Sequence, residues 1–189
     1  KPNNEFISTE NGIIEVAGNR SDANGAGVAR LQFIQNSNSA TYKEVAEIRV
    51  ETEGATANQR GGRINFRTRA DGSTSTTEAM RIDSSGNLLF NKTSSDLSVA
   101  GIAFLASNST ARFTRSGTPV NINRLSSDGA LINFLKDGTA VGSIGNNGDN
   151  LVIDCVTSAH TGLDFANDKL IPRKNSSASD NGVDLGYSG

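Results

Sequence analysis

Several short segments of the chain alternate strictly between apolar and polar residues. Residues 46–52, AEIRVET, place small and apolar side chains at every second position and charged side chains at the others. Residues 63–69, 121–125 and 130–135 follow the same rule. Because successive side chains of a strand point to opposite faces of a sheet, this period of two predicts strands. The chain is therefore predicted to be all-β, with many short antiparallel strands.

Helical patterns are scarce. Residues 40–48 are long enough for two helical turns and residues 76–82 for one. Neither segment carries the long apolar stripe of an amphipathic helix, and polar or Gly-rich residues flank both. The pattern consequently favours strands over almost the whole chain.

Turn-forming dipeptides punctuate the predicted strands. Asn-Gly begins at positions 11, 24, 147 and 181, Asp-Gly at 71, 128 and 137, and Ser-Gly at 85, 116 and 188. These pairs tolerate the positive φ that tight turns require, so Gly86, Gly129 and Gly138 are predicted to be structural turn residues. Residues 145–153, GNNGDNLVI, also resemble one calcium-binding β-roll repeat. Such sites need consecutive copies, and the single copy here favours a plain turn.

Two segments of the chain are similar to each other. RIDSSGNLL (81–89) aligns with RLSSDGALI (124–132) at an offset of 43 positions. The recurrence predicts a repeated strand–turn–strand unit of the kind found in stacked architectures. The pattern Gly-x-x-x-x-Gly-Lys-Ser/Thr of a phosphate-binding loop is missing around Gly86. We predict two β-rich modules, residues 1–95 and 96–189, the second with a polar C-terminal run-out.

The composition predicts a thin core. Hydrophobic residues make up 35% of the chain, aromatic residues 5%, and the net charge is −2. A thin core in a chain of 189 residues favours burial against further subunits. The weakly acidic balance does not predict a nucleic-acid partner, and no apolar run reaches the ~18 residues of a membrane span.

The sequence offers little catalytic chemistry. The single Cys155 allows no internal disulfide and, with the single His160, cannot supply an ordinary zinc site. The two residues permit a nucleophile pair, but the apolar run LVIDCV favours Cys155 as a small buried hydrophobe. We predict no catalytic residue, no metal site and no cofactor.

Four arginines cluster near one predicted hairpin, with acidic residues close by in sequence. This arrangement favours a solvated face with cross-strand ion pairs over a nucleic-acid patch. The arginines are Arg60, Arg63, Arg67 and Arg69.

The segments with the most specific patterns resemble tail-fibre proteins of tailed bacteriophages. TEAMRIDSSGNLLFNKTSSD (77–96) is similar to a recurrent fibre segment in which an E-x-M-R-I-D strand meets a Ser-Ser-Gly-Asn turn. GRINFRTRADGS (62–73) is similar to the strand that precedes it, and residues 123–145 resemble a following module. The resemblance spans residues 29–189, and residues 170–189 resemble the closing stretch before a chaperone domain that some relatives carry. It departs at residues 88–90, where Leu-Leu-Phe replaces a small Val-Gly-Ile-Gly sequence.

The resemblance implies a parallel homotrimer with a shared core along the three-fold axis. In such a fibre the chain would lie in the extracellular virion, bound to copies of itself, to other virion tail proteins and to a host-cell surface receptor, for which a glycan is one candidate. The function implied is that of a structural shaft or head segment that supports host attachment. Alternating apolar residues would form the trimer core, namely Ile64, Phe66, Ile82, Leu88, Leu131 and Phe134.

Two other functions remain open. A receptor-binding or carbohydrate-binding head could use loops such as residues 91–101 or 146–150. A polysaccharide depolymerase is the least favoured, since the chain has no Trp and only Tyr42 and Tyr187 as tyrosines. Sugar sites usually offer such aromatic platforms.

Overall fold

The computed structural model describes residues 22–155, 161–166, 168–174 and 177–179. These residues are all-β, with antiparallel pairing throughout and one 3-10 turn at Ala40–Tyr42, which confirms the predicted class. The strands are β1 (Gly27–Ile34), β2 (Glu44–Glu53), β3 (Gly61–Thr68), β4 (Thr77–Ile82), β5 (Leu88–Phe90), β6 (Gly101–Leu105), β7 (Thr110–Thr114), β8 (Gly129–Lys136), β9 (Thr139–Asn147), β10 (Asn150–Asp154), β11 (Thr161–Ala166), β12 (Lys169–Lys174) and β13 (Ser177–Ala178).

The chain divides into two compact units, Lys1–Val120 and Asn121–Gly189, and each described unit contains one sheet. The first sheet has seven strands in the order β1 to β7, and the second has six strands in the order β8 to β13. Neighbours in sequence are thus neighbours in space, as short turns between strands dictate. The division predicted after residue 95 falls between β5 and β6, which pair within the first sheet.

The turn around Gly86 joins β4 to β5. Gly86 has a φ of +79°, in the left-handed region where a Cβ is costly. Asp83 organises the turn: its Oδ1 accepts the main-chain N–H groups of Ser85 and Asn87, both at 2.9 Å. Gly138 and Gly129 also have positive φ, of +79° and +139°. Gly138 lies in the turn between β8 and β9, and Gly129 begins β8.

One of the local predictions was wrong. Residues 121–125 form no strand; Arg124 instead donates to the main-chain oxygens of Ser127 and Ala130, so the loop satisfies its polar groups locally. The second copy of the repeat therefore lacks its first strand. Residues 40–48 enter β2 after the 3-10 turn, and residues 77–82 are β4, because both segments pair with neighbouring strands.

A β-bulge interrupts the pairing of β3 with β4. Phe66 lies opposite Met80, whereas the next residue, Arg67, lies opposite Glu78, so Ala79 is an extra residue in β4. The main-chain oxygen of Ala79 accepts the N–H of Asn91 at 3.0 Å. No helix among the described residues is long and apolar enough to cross a membrane.

Candidate interaction surface

Apolar side chains form continuous rows across one face of the first sheet, which we call the open face. Residues paired across adjacent strands point to the same side of a sheet, so the register defines the rows. One row crosses all seven strands through Leu31, Ile48, Phe66, Met80, Phe90, Ile102 and Phe113. The next row crosses them through Ala29, Val50, Ile64, Ile82, Leu88, Phe104 and Ala111.

The open face is uncovered in the single chain. Ile64 and Ile82, at its centre, are 38% and 39% exposed, and Leu31 at the β1 edge is 58% exposed. Phe104 and Phe113 are similarly exposed. Isolated exposed apolar residues are ordinary, but a contiguous apolar patch marks an interaction site.

Aromatic rings fix the shape of the open face near β5 to β7. Phe90 and Phe104 meet edge to face, with ring centroids 6.2 Å apart and an interplanar angle of 81°. Phe104 meets Phe113 in the same way at 6.5 Å and 82°. This geometry is the one that aromatic quadrupoles favour, so the three rings restrain one another.

The opposite side of the first sheet, the ion-pair face, buries charge. Glu47 is 1% exposed and is the acceptor for Arg49 at 2.8 Å and Arg67 at 2.9 Å. The Thr76 hydroxyl donates to the same carboxylate at 3.2 Å. Arg30 lies 3.8 Å from its other oxygen. A buried carboxylate requires such partners, because the cost of losing water is several kcal/mol per ion.

Glu51 repeats this arrangement on the same strand. Its Oε2 accepts from Arg63 at 2.6 Å and from the amide of buried Asn65 at 2.8 Å. Burial acts to raise the pKa of Glu51, but the hydrogen bonds from Arg63, Asn65 and Arg49 outweigh it and hold the pKa below the ordinary value. The carboxylate therefore stays charged at neutral pH.

The loop at residues 91–100 covers the far part of the ion-pair face. Arg81 and Arg112, which point from that face, donate to the main-chain oxygens of Thr93 and Ser95. Lys92, 5% exposed, donates to two further carbonyls of the loop. Beside this loop lies the core of the unit, formed by the buried residues Leu89, Ala103 and Leu105.

The second sheet repeats the two-sided design. Many of its apolar side chains share one face, along the paired residues Ile132, Ile144, Ile153, Leu163 and Pro172 and along Leu151, Phe165 and Leu170. Ile153, Phe165 and Leu170 are each more than 40% exposed. On the opposite side, Arg173 binds Asp154 at 3.0 Å and Asp164 at 3.2 Å. Both units thus bury ion pairs and leave apolar side chains uncovered.

The structure places the six predicted core residues in two groups. Ile64, Phe66, Ile82 and Leu88 lie together on the open face. Phe134 is 47% exposed on the apolar side of the second sheet, while Leu131 lies in a β-bulge between Ala130 and Ile132. The structure brings the first four together and holds the other two in a separate unit.

The sequence reasoning missed that the charged side is the buried one. The predicted ion pairs exist, but the expectation of a solvated face was wrong, because neighbouring guanidinium groups and the loops at residues 69–76 and 91–100 shield the carboxylates. The alternation of Glu47, Arg49 and Glu51 along one side of β2 is the feature of the sequence that indicates these ion pairs. The polar and charged side chains buried on this face are Glu47, Glu51, Asn65, Arg81 and Lys92.

The described residues offer no metal-binding group of three or more His, Cys, Asp or Glu side chains. Residues 147–150 form the hairpin end between β9 and β10, as a plain turn predicts. Cys155 follows β10 and is half-buried, less enclosed than predicted, because the strand has ended before it. His160 lies outside the described residues.

A cleft of about 520 Å³ opens at the end of β5 to β7. Apolar rings of Phe90 and Phe113 line it together with Arg115 and Thr114. The Thr114 hydroxyl is buried without a hydrogen-bond partner, and Arg115 makes no ion pair among the described residues.

Comparison of the chain with protein-family models, with curated proteins and with solved structures found no match.

Proposed function

We propose that the chain is a structural component of a viral tail fibre, a homotrimeric β-rich segment that supports attachment to a host cell. The observation that carries the proposal is the pairing of an uncovered apolar face with a buried ion-pair face in each unit. Catalysis gives no reason to leave an apolar face uncovered. A chain that completes its core with copies of itself needs such a face.

The apolar side chains of the open face provide the free energy of the proposed association. Burial of apolar surface is worth about 25 cal/mol per Å², so covering two rows of aliphatic and aromatic side chains supplies many kcal/mol. The ion-pair face gains nothing comparable from a partner, since its charges already have partners within the chain. Association through the open face is therefore the favoured use of the sheet.

Three copies are proposed because of the resemblance to tail fibres. A closed ring of identical chains also covers each apolar face with the next copy and leaves none exposed. The stiffness of such an assembly suits a shaft or head that joins other virion tail proteins to a receptor. Its location would be the extracellular virion.

The oligomeric mass tests the proposal directly. We expect light scattering at micromolar chain concentration to give three times the chain mass of 19.8 kDa. The assembly should persist in mild denaturant and at high salt, since apolar burial is not screened by ions. A single-chain mass under these conditions would contradict the proposal.

The cleft favours a second function, that of a receptor-binding or carbohydrate-binding module. Apolar walls with a few unpartnered polar groups are typical of small-ligand sites, and Arg115 supplies such a group. If this function holds, a host glycan with a carboxylate should bind saturably, and Arg115→Ala should weaken binding at least tenfold. Ser107→Ala, in the turn between β6 and β7, is the control. Equal binding by both variants would argue against the cleft.

A further inference from the structure

The hairpin between β9 and β10 holds an Asn-Gly pair in an accessible position. Asn147 ends β9, pairs with Asn150 across the turn, and is exposed, as is Gly148. Gly148 has a φ of +57°, and a Cβ added there would meet nothing within 4 Å. The Cβ side of Gly148 is therefore open, and its carbonyl oxygen accepts from Nδ2 of Asn146 at 3.2 Å.

Asn-Gly pairs undergo deamidation when the main-chain nitrogen of the glycine can reach Cγ of the asparagine side chain. The main-chain N–H of Gly148 makes no hydrogen bond among the described residues. The Oδ1 of Asn147 also lacks a donor, and its Nδ2 makes one long hydrogen bond, of 3.4 Å, to Oδ2 of Asp164. The Gly148 nitrogen, which is the nucleophile, and the Asn147 side-chain amide, which is the electrophile, are thus restrained by one long hydrogen bond among the described residues.

The other described Asn-Gly pair is held on both sides. The N–H of Gly25 donates to the main-chain oxygen of Thr52 at 2.8 Å. Oδ1 of Asn24 accepts the N–H of Gly54 at 3.2 Å. Attack by the nitrogen of Gly25 would break these contacts, so the fold protects this pair.

We propose that Asn147–Gly148 is a self-modification site at which the folded chain slowly converts an amide to a carboxylate. The Gly148 nitrogen forms a bond to Cγ of Asn147 and loses its proton, and the side-chain amide leaves as ammonia. Water then opens the five-membered ring at either carbonyl, which yields aspartate or isoaspartate. The reaction consumes one water, releases one ammonia and needs no oxidant or reductant.

The new carboxylate would disturb the buried ion pairs of the second sheet. Asp164 is 4% exposed, and its Oδ1 already lacks a hydrogen-bond partner among the described residues. Modification replaces the amide that donates to Oδ2 by a like charge, which Arg173 must then balance in addition to Asp154 and Asp164. Isoaspartate also lengthens the main chain within the hairpin. Aged protein should therefore lose stability in the second sheet first.

Peptide mass mapping of the full chain tests the reaction. After incubation in mildly alkaline buffer below the unfolding temperature, we expect Asn147 to convert at least several-fold faster than Asn24. In denaturant the two sites should convert at similar rates, because the protection of Asn24 comes from the fold. Equal rates in the folded chain, or faster conversion at Asn24, would overturn the proposal.

Two substitutions test the consequence. Asn147→Asp introduces the charge at once, and Asn147→Ser removes the hydrogen bond without adding charge. We expect hydrogen exchange in β9 to β11 to rise more in Asn147→Asp than in Asn147→Ser, with little change in the first sheet. Equal exchange in both variants would show that the carboxylate at position 147 does not disturb Asp164.

Discussion

Replacement of Ile82 by Asp is expected to reduce the proposed trimer to single folded chains. Ile82 lies at the centre of the open face, between Ile64 and Leu88 on the neighbouring strands, and is 39% exposed in the single chain. A carboxylate there remains hydrated in the monomer but loses water in an apolar interface. That loss costs several kcal/mol per ion, and each 1.4 kcal/mol lowers an association constant tenfold.

Light scattering and circular dichroism together check this expectation. The mass should fall from three times the chain mass of 19.8 kDa to one, while the β-sheet spectrum is retained. Ser107→Asp, which adds the same charge in an exposed turn, is the control and should leave the mass unchanged. A trimer that survives Ile82→Asp would show that association uses another surface, even if the wild-type chain is trimeric.

Truncation of Glu47 to Ala is expected to lower the free energy of unfolding by about 3–5 kcal/mol, the cost of breaking a buried pair from one side. The change removes the carboxylate that accepts from Arg49 and Arg67, which leaves Arg67 with no carboxylate partner among the described residues, while Arg49 keeps Glu51 at 3.4 Å. The Thr76 hydroxyl also loses this acceptor and keeps only the 3.4 Å hydrogen bond to Glu44. The effect should exceed the ordinary cost of a surface substitution several times over.

Urea unfolding measures this effect most cleanly in the Ile82→Asp background, where unfolding is not linked to assembly. Glu44→Ala is the matched control: Glu44 begins the same strand, accepts only from Gln32 and Thr76, and makes no ion pair with an arginine among the described residues. A loss for Glu47→Ala no larger than that for Glu44→Ala would mean that the ion-pair face contributes little to stability.

The two faces could be predicted from the sequence, but their burial could not. Alternation along β2 and β3 separates Ile48 and Phe66 from Glu47 and Arg67, and the structure keeps that separation. Which face water reaches depends on loops that fold over the sheet, such as residues 91–100, and local periodicity carries no information on them. Hydrophobicity alone identifies the apolar face, and that face is the one the single chain leaves open.

The missing strand at residues 121–125 and the strand found within residues 40–48 have a related origin. Residues 121–125 have an alternating pattern but no partner strand, and Arg124 satisfies its own loop. Residues 40–48 have weak helical spacing, but β2 gains two neighbours, β1 and β3, in the sheet. In both cases pairing with distant residues, rather than local propensity, decided the outcome.

The β-bulge at Ala79 changes the alternation of side chains along β4, so that Glu78 lies on the ion-pair face and Met80 on the open face. Glu78 and Met80 are two positions apart, so an uninterrupted strand would direct them to the same side. The bulge instead sets Glu78 opposite Arg67 and within 2.8 Å of Arg81, while Met80 remains opposite Phe66. If β4 kept Ala79 but ran without the bulge, Glu78 would point into the apolar rows beside Met80. The local geometry at a position whose own side chain is only a methyl group thus decides which face receives the Glu78 carboxylate.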